Sequence, residues 1–339
     1  MARFRKKEKR KTFAQEVKEY FDYDIDALED YIDEESPEII EDLVTYGALK
    51  SRVMVMDNVK GSKAIKLKTS APTLQGAEAC EWTPEGGIVL TDVELQTVRV
   101  KIQEQYCNED LNETWAQIEN VAGANEQDKS VPNFADTMIM YYQQRAMELD
   151  EDLMMNGDTA STNPNLDHYD GFKKRWDNDA ELNVLGVTDT EFTIDNAFTI
   201  AQKFVARIPT IVKRHKDRIG LEVLVGYETA QFIIDSIYDS KDYNAFIENV
   251  EEDGTISFTL PTTNVKFRSL VTLDGTSDMY GVCYSYMFYG TDMSSDSSNF
   301  RFVYNEHDEQ LRFSVKWRSG VQYVFPQYFT RLLLGDVAS

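Results

Sequence analysis

Apolar side chains recur every three to four residues over 130–157, which is the period of one face of an α-helix. The members of this stripe are Phe134, Met138, Tyr141, Tyr142, Ala146, Leu149 and Leu153. Ser130 and Pro132 favour a helix start, since a missing N–H is harmless in the first turn. Asn156-Gly157 favours a left-handed residue at the end. The pattern predicts a helix of about 25 residues, roughly 37 Å long, followed by a polar loop that ends at Gly171-Phe172.

Two shorter amphipathic helices are predicted before residue 50. Thr12 and Gln15 fit a capping box at the start of the first helix. Ser36-Pro37 opens the second helix, which Gly47 ends. Both helices have acidic outer faces, and their apolar stripes need another surface to cover them. The pair therefore predicts an N-terminal arm.

From Ser51 the hydrophobic period changes to two, which indicates β-strands. Strands are predicted around Val53–Val55 and Ala64–Lys68, with a longer strand over Val93–Ile102. Residues 57–90 between them are mostly polar, so this β-excursion cannot form its own core, and we expect it to project and rest on another surface. Four lysines lie on its first limb: Lys60, Lys63, Lys66 and Lys68.

The rest of the chain alternates between helical and strand patterns, which predicts a small α/β unit followed by a β-meander. The predicted helices are Asn108–Ala122, Asp189–Ile208 and Glu228–Tyr238. The predicted strands are Leu221–Val225, Val265–Leu273, Met279–Tyr289, Phe300–Tyr304, Leu311–Trp317 and Val321–Phe329, and the meander turns are placed at Asn305–Glu309 and Arg318–Gly320.

Composition places the chain among soluble proteins with a substantial core. Its 339 residues are 42% hydrophobic, which suits two domains or one core with large excursions. No run of 18 apolar residues occurs, and the first eleven residues lack the apolar segment of a signal peptide. The three cysteines are far apart and odd in number, which favours reduced thiols in a cytosolic setting. We therefore expect a protein that contacts no membrane and stays where it is made.

Charge is distributed unevenly along the chain. The net charge is −24, yet the first eleven residues carry seven basic side chains against Glu8 alone, so the tail is +6 and the rest is −30. The basic side chains of this tail are Arg3, Arg5, Lys6, Lys7, Lys9, Arg10 and Lys11. An acidic body resists nonspecific binding of nucleic acid, whereas the tail suits contact with phosphates or with an acidic neighbour.

No catalytic or cofactor motif is recognisable in the sequence. The three histidines have no metal-like spacing, no phosphate-binding glycine loop is present, and no nucleophile elbow occurs. The polar residues from Asp158 to Asp170 suit either turns or a hard cation, and turns are the simpler interpretation. We therefore predict that the chain is not an enzyme and has no cofactor.

Two charged clusters remain as candidate contacts. Glu148, Asp150, Glu151 and Asp152 crowd the end of the long helix, where they oppose the helix dipole. They are interpreted either as a solvated face or as a surface that meets basic residues of another subunit. The candidate residues are Glu148, Glu151 and Asp152 on the acidic side and Lys213, Arg214, Lys216 and Arg218 on the basic side.

The order of these elements resembles the major capsid proteins of tailed bacteriophages with the Hong Kong 97-type fold. The resemblance begins with an acidic arm, a projecting β-excursion and a long helix that ends in Leu153-Met154-Met155-Asn156-Gly157. A loop that closes on Gly171-Phe172 follows, and then a mixed α/β unit. The terminal segment contains Arg318-Ser319-Gly320 and Phe325-Pro326. It implies an α+β fold with an N-terminal arm, an extended β-hairpin loop, a peripheral domain with a long spine helix, and an axial α/β domain. The implied boundaries are 1–50 for the arm, 51–95 for the loop, 96–190 for the peripheral domain, 191–298 for the axial domain and 299–339 for the meander.

The resemblance also implies a function. The implied function is that of a structural protein that self-assembles into the pentamers and hexamers of an icosahedral shell around double-stranded DNA. The implied location is a virion that is assembled in the host cytoplasm. A portal protein at one vertex, and separate scaffolding and decoration proteins, are the further partners it suggests. An encapsulin-type nanocompartment shell and an acidic metal- or carbohydrate-binding enzyme stay as alternatives.

One property of the founding family member is not expected here. That protein joins a lysine of the excursion to an asparagine of a neighbouring subunit, with the help of a glutamate. Lys60, Lys63, Lys66 and Lys68 lie in the corresponding region. Neither the asparagine nor the glutamate finds a match, so no covalent cross-link is predicted.

Overall fold

The structure is a computed structural model that describes residues 47–72, 86–107, 131–239, 248–250, 255–261, 263–292, 300–305 and 310–335. These residues divide between two compact units. One takes the described residues within 101–146 and 296–316, and the other takes those within 44–100, 147–295 and 317–339. The helices predicted for the arm, the segment 108–130 and the basic tail lie outside the described residues.

Helices form where the 3.6-residue period was strongest. They are α1 (Val131–Asn156), α2 (Phe172–Asn178), α3 (Ala197–Arg207), α4 (Thr210–Arg214), α5 (Lys216–Ile219) and α6 (Tyr227–Asp239). The 26 residues of α1 confirm the predicted long helix. Within the described residues, three short 3₁₀ turns lie at Val271–Leu273, Tyr284–Tyr286 and Pro326–Tyr328.

Fourteen strands are found in the described residues. They are β1 (Met54–Met56), β2 (Ser62–Pro72), β3 (Gly86–Gln96), β4 (Val98–Cys107), β5 (Asn183–Val187), β6 (Leu221–Val225), β7 (Glu248–Val250), β8 (Ile256–Thr259), β9 (Lys266–Ser269), β10 (Met279–Cys283), β11 (Met287–Gly290), β12 (Phe300–Asn305), β13 (Gln310–Tyr323) and β14 (Thr330–Leu334).

A mixed seven-stranded sheet has the order β5-β14-β10-β6-β9-β8-β7. At its centre β6 runs parallel to β9 and antiparallel to β10, and every residue of β6 and β10 is buried. Helix α6 follows β6, as the predicted α/β alternation requires. Strands buried on both faces are largely apolar, and Leu221–Val225, which is apolar except at Glu222, was predicted with its observed ends.

A second sheet has the order β1-β11-β13-β12, with β4 also paired to β13. Strands β12 and β13 are antiparallel from Phe300↔Val315 to Asn305↔Gln310. This pairing confirms the predicted hairpin, whose connecting residues 306–309 lie outside the described part of the chain. The remaining pair, β2 and β3, forms a separate two-stranded sheet.

Several predicted segments proved wrong in their extent, including the strands expected over Val265–Leu273 and Val321–Phe329, which are each cut short and followed by a 3₁₀ turn. The helix predicted over Asp189–Ile208 begins only at Ala197, because the Asn196 side chain accepts from the N–H of Thr193 (2.8 Å) and donates to the carbonyl of Glu191 (3.1 Å). Side-chain hydrogen bonds of this kind stabilise a non-helical turn before Ala197, so the helix does not extend further towards residue 189.

The strand predicted over Val93–Ile102 is interrupted at Thr97, where the chain passes from β3 to β4. The strand predicted over Met279–Tyr289 is likewise interrupted by the 3₁₀ turn Tyr284–Tyr286, so β10 joins the seven-stranded sheet and β11 the other. The first interruption occurs within an apolar/polar alternation and the second within an apolar run, and the prediction from hydrophobic periodicity divided neither.

The predicted meander is also wrong in its topology. Arg318–Gly320 is not a turn, since β13 runs without interruption from Gln310 to Tyr323. The last strand, β14, leaves that sheet and pairs with β5 and β10 in the seven-stranded sheet. Gly320 stands in mid-strand because a Cβ there would lie 2.1 Å from the carbonyl oxygen of Gln96.

The prediction of a left-handed residue at the end of α1 is wrong, because Gly157 does not have a positive φ. A Cβ on Gly157 would lie 2.4 Å from the carbonyl oxygen of Tyr169, and its N–H donates to the carbonyl of Leu153 (2.9 Å). The N–H of Gly171 in turn donates to the carbonyl of Gly157 (2.8 Å). The two glycines are therefore required by close approach of two backbones.

Candidate functional site

The most prominent candidate surface is the hairpin of β2 and β3, which pair over eleven positions from Ser62↔Gln96 to Pro72↔Gly86. Among the described residues, neither strand pairs with any other. Because side chains alternate along a strand, Ile65 and Leu67 share one face with Val93 and Leu95. The predicted β-excursion is thus a long two-stranded ribbon with one partly apolar face.

The base of this hairpin is packed into a small core. Val59, Ile65, Leu95 and Val324 are buried there, and the partly buried residues against them are Met56, Leu67, Val93, Tyr286, Phe288 and Phe325. Thr97 sits at the end of the hairpin, where its hydroxyl donates to the carbonyl of Val59 (2.9 Å) and its N–H donates to the carbonyl of Gly61 (2.7 Å). These contacts attach the hairpin firmly at one end.

The far end of the described hairpin is exposed and apolar. Ile88 and Val89 are each 61% exposed and Leu90 is 72% exposed. An open groove of about 780 Å³ separates the face carrying Leu67 and Val93 from residues 170–181 and 322–327. An isolated two-stranded hairpin is marginally stable, and contiguous exposed apolar groups mark interaction sites. The distal segment Ile88–Leu90 is therefore a candidate surface for contact with another chain.

A buried ion pair joins the start of the described chain to α1. The ammonium of Lys50 pairs with the carboxylate of Asp150, and neither side chain is exposed. Asp150 also accepts from the Tyr289 hydroxyl (2.8 Å) and the Trp317 indole N–H (2.9 Å). The Lys50 ammonium lies 5.0 Å from the centre of the Tyr289 ring, within the range of a cation–π contact.

The pKa of Asp150 reflects two opposing effects. Burial raises the pKa of a carboxyl, but the charge of Lys50 and the hydrogen bonds from Lys50, Trp317 and Tyr289 outweigh it, so the pKa of Asp150 lies below its usual value. The pKa of Tyr289 is raised well above its ordinary value by burial and by the charge of Asp150. Asp150 is thus ionised and Tyr289 neutral, which keeps the donor and acceptor roles in place.

The interpretation of the acidic cluster as a surface feature is wrong for Asp150, which is buried. It follows Ala146 by four residues and precedes Leu153 by three, so it shares their buried face. The apolar period was therefore the signal that distinguished Asp150 from its neighbours. Its partners Lys50, Tyr289 and Trp317 are distant in sequence, and no local pattern indicated them.

The three predicted contact residues of this cluster occupy different environments. The Glu151 carboxylate accepts the N–H of Leu49 (2.7 Å), and the Asp152 carboxylate accepts from the Asn156 side-chain amide (2.8 Å). Glu148 is exposed. The carboxylates of Glu151 and Asp152 therefore already make contacts within the chain.

The loop from Asp158 to Asp170 is held by turn and lysine contacts. Asp158 pairs with the Lys174 ammonium and accepts the N–H of Ala160 (2.7 Å). Asp170 accepts the N–H (3.0 Å) and the hydroxyl (2.8 Å) of Thr159. The hydrogen bond from Lys174 leads the effects that lower the pKa of Asp158. These contacts support the turn interpretation, and no group of three metal-ligating side chains occurs within the described residues.

The basic residues predicted as contacts lie on α4 and α5. The Lys213 ammonium donates to the carbonyls of Val205 (3.0 Å) and Ala206 (3.1 Å) at the end of α3, and the Lys216 ammonium donates to the carbonyl of Asn264 (2.8 Å). Arg214 and Arg218 are exposed. Lys60, Lys63, Lys66 and Lys68 on the hairpin limb are all exposed as well.

A second buried charge pair was not predicted. Arg268 on β9 is fully buried, and its Nε donates to the carboxylate of Glu222 on β6 (2.8 Å). Tyr284 also donates to Glu222 (3.1 Å). Glu222 interrupts an otherwise apolar strand, and opposite charges in two neighbouring parallel strands were the available signal. The pair fixes β6 against β9.

No helix in the described part of the chain is long and apolar enough to cross a membrane. No family model and no curated protein sequence matches the chain.

Solved structures, in contrast, align with nearly the whole chain. A chain of the satellite phage P4 procapsid, solved with its size determination (Sid) protein, is 13% identical with a TM-score of 0.55, over 87% of this chain and 97% of its own length. A chain from the capsid of an empty GTA particle is 11% identical with a TM-score of 0.54, over 85% and 90%. A chain from Mycobacterium phage Ogopogo is 12% identical with a TM-score of 0.50, over 85% and 92%. The α+β fold expected from the order of elements is confirmed, and this chain has the fold of phage capsid proteins.

Proposed function

We propose that the chain is a major capsid protein, which self-assembles into the pentamers and hexamers of an icosahedral shell around the double-stranded DNA of a tailed bacteriophage. The observation that carries this proposal is the alignment with the P4 procapsid and GTA capsid chains over nearly the full length of both partners. A shared fold does not by itself establish a shared function. The exposed apolar segment Ile88–Leu90 gives independent support, because none of the described residues covers it.

The mechanism is burial and charge pairing between copies, with no catalysis. The part of residues 51–92 beyond the packed hairpin base drapes over a neighbouring subunit, and residues 1–47 clasp another. The distal segment Ile88–Leu90 supplies apolar contact area, while the hairpin lysines and the charged residues of α1, α4 and α5 supply polar contacts. Helix α1 serves as the spine of a peripheral domain over 96–190, and 191–298 forms the axial domain.

Charge governs the relation of the shell to its contents. A chain with a net charge of −24 presents acidic inner surfaces that repel packaged DNA and limit adhesion during filling. The basic tail from Arg3 to Lys11 contacts DNA or an acidic patch of a neighbour. A portal protein occupies one vertex, separate scaffolding and decoration proteins act where the virus encodes them, and the shell assembles in the host cytoplasm.

Electron microscopy of the expressed full-length chain, alone and with its neighbouring genes, tests this function. We expect closed particles with five- and six-fold clusters of subunits. A dilute monomer with a dry, self-contained core would contradict a shell function. The similarities favour neither an encapsulin nor an enzyme, and portal and terminase genes beside this one are the further sign expected of a phage.

A further inference from the structure

A small cavity lies between α4, α5 and the 3₁₀ turns at 284–286 and 326–328. Its volume is about 200 Å³, and its walls include Ile211, Ile219, Tyr286 and Tyr328. Small-molecule sites commonly measure about 300–1,000 Å³. This cavity is therefore suited to one large side chain from a protein partner, the usual form of an interface anchor.

The walls of this cavity are held in place by backbone and ring contacts. The N–H of Tyr284 donates to the carbonyl of Gly220 (3.2 Å), which ties the first 3₁₀ turn to the end of α5. The ring centres of Tyr286 and Tyr328 lie 5.6 Å apart, and the Phe325 ring contacts Tyr286 edge-on (5.2 Å) and Tyr328 at a tilt (5.7 Å). Phe325 has a φ of 59°, a left-handed conformation that bulky residues avoid. Such strain is concentrated at functional sites.

The rim of the cavity is basic. Between residues 213 and 218 the chain carries four basic side chains and one acidic side chain. Arg214 and Arg218 are exposed, and Arg218 lines the cavity. Ile211 is 54% exposed beside them. We call the surface formed by Ile211, Arg214, Arg218, Tyr286 and Tyr328 the basic aromatic pocket.

The sequence contains one segment with complementary chemistry. Residues 22–42 hold eleven acidic side chains and no basic one, interspersed with large apolar residues such as Tyr23, Leu28 and Tyr31. The carboxylates of Glu151 and Asp152 on α1 are already engaged within the chain, which makes them poorer partners. A segment that combines carboxylates with aromatic side chains matches both the rim and the cavity.

We propose that the basic aromatic pocket binds the acidic segment 22–42 of a second copy of this chain. One aromatic or aliphatic side chain enters the cavity, and carboxylates on either side of it meet Arg214 and Arg218. This inference rests on the proposed function, because shell assembly brings the arm of one copy to the surface of another.

Isotope-mixed cross-linking tests the contact directly. Full-length chains labelled with ¹⁵N and unlabelled chains are mixed in equal amounts, assembled, and treated with a carbodiimide, which joins lysine amines to carboxylates in contact. Lys213 and Lys216 lie near Arg214 and Arg218 along α4 and α5 and provide the amines. We expect cross-linked peptides that join Lys213 or Lys216 to residues 22–42, and we expect pairs of mixed isotope, which arise only between copies.

Matched variants separate the two parts of the pocket. Arg218→Glu is expected to reduce the mixed-isotope cross-link about tenfold, since it places like charges together, whereas Lys203→Glu on the exposed face of α3 leaves it within about twofold. Ile211→Ser is expected to reduce it about fivefold through lost apolar contact. Its control is Ile194→Ser, which alters an isoleucine that is 46% exposed elsewhere.

The outcomes distinguish this inference from the shell function. Particles that form normally but give no mixed-isotope cross-link, or that link Lys213 and Lys216 to Glu148–Asp152 instead, overturn the pocket and leave the shell function standing. If Lys213 and Lys216 give no cross-link to residues 22–42 because packaged DNA covers them instead, the pocket proposal is also overturned. Chains that stay monomeric under all conditions overturn both proposals.

Discussion

At the scale of residues, the centre formed by Lys50 and Asp150 shows how a charge becomes part of a core. Both side chains are fully buried, and Tyr289 and Trp317 complete the hydrogen bonding of the carboxylate. Removing charges from water costs several kcal/mol per ion, which only good geometry and further hydrogen bonds offset. The pair is therefore sensitive to any change that removes one partner.

Asp150→Asn is expected to lower the free energy of unfolding of the subunit by about 3–5 kcal/mol. The amide leaves the Lys50 ammonium buried without a counter-charge. Urea unfolding of dispersed subunits, followed by tryptophan fluorescence, measures the change. Asp152→Asn two positions later is the control, with an expected change within about 0.5 kcal/mol. Equal effects of the two variants would show that the buried pair is not the cause.

Acid should remove the stability that the Lys50–Asp150 pair contributes. Because the pKa of Asp150 is lowered in the folded state, the stability it contributes is complete above its unfolded pKa of about 3.9 and is lost as the pH falls through the lower folded value. We expect the difference in unfolding free energy between wild type and Asp150→Asn to stay constant down to about pH 5 and to narrow below about pH 4. A difference that persists undiminished to about pH 2 would contradict this assignment.

At the scale of elements, a close approach of backbones determines where the hairpin leaves the rest of its unit. A Cβ on Gly320 would lie 2.1 Å from the Gln96 carbonyl oxygen and 3.0 Å from the Cα of Thr97. Gly290 on β11 has the same role, since its Cβ would lie 2.9 Å from Leu95 and Thr97 side-chain atoms. The two glycines of neighbouring strands thus let the hairpin base lie directly on the sheet.

Gly320→Ala is expected to destabilise the subunit by about 2–3 kcal/mol. The added methyl group meets backbone atoms, which cannot move without displacing the hairpin base. Thermal or urea unfolding measures the loss, and particle yield reports the displacement. Gly87→Ala is the matched control, because no atom lies within 4 Å of a Cβ built there. Its expected change is within about 1 kcal/mol. Comparable losses in both variants would argue against the close approach.

The distal segment should matter for assembly and not for folding. We expect the triple variant Ile88→Ser, Val89→Thr and Leu90→Ser to raise the protein concentration needed for assembly at least about tenfold, through lost apolar burial between copies. Its unfolding free energy should change by less than about 1 kcal/mol, since these side chains are exposed. Light scattering measures assembly, and Val271→Ser, at a residue that is 78% exposed, is the control. Unchanged assembly would exclude the segment from the subunit contacts.

At the scale of the whole molecule, the net charge opposes the proposed association of many copies. A net charge of −24 per copy makes subunits repel one another, and salt screens exposed charges over about 10 Å at 0.1 M. Assembly of such subunits needs contacts that combine apolar area with local charge pairing. The hairpin and the basic aromatic pocket are the surfaces proposed to provide them.

Assembled particles should hold together without covalent links. Lys60, Lys63, Lys66 and Lys68 are exposed on β2 or just before it, but the sequence offers no matching asparagine and glutamate for a cross-link. Boiling in detergent is therefore expected to release a single subunit band on a gel. A ladder of oligomers after boiling would overturn this prediction, and mass spectrometry of the ladder would identify the lysine involved.

Local periodicity predicted the elements whose burial depends on their own residues. Helix α1, strand β6 and helix α6 were predicted within one or two residues of their ends, because a continuous apolar pattern of one period fills each of them. The order of elements then pointed to the capsid fold, which the solved structures confirm. The arm and the basic tail lie outside the described residues, so their roles stay predictions.

Amino-acid order alone determined the period of each apolar run, the charge imbalance between tail and body, and the succession of elements that specifies the fold. Tertiary structure alone decided where those runs divide between sheets and which partners the buried charges have. Thr97 ends a strand because its hydroxyl and N–H meet Val59 and Gly61, and Gly320 continues one because Gln96 approaches it. Asp150 is ionised inside the core because Lys50, a hundred residues earlier, lies beside it. Each outcome depends on a partner distant in sequence, and a local pattern carries no information about such a partner.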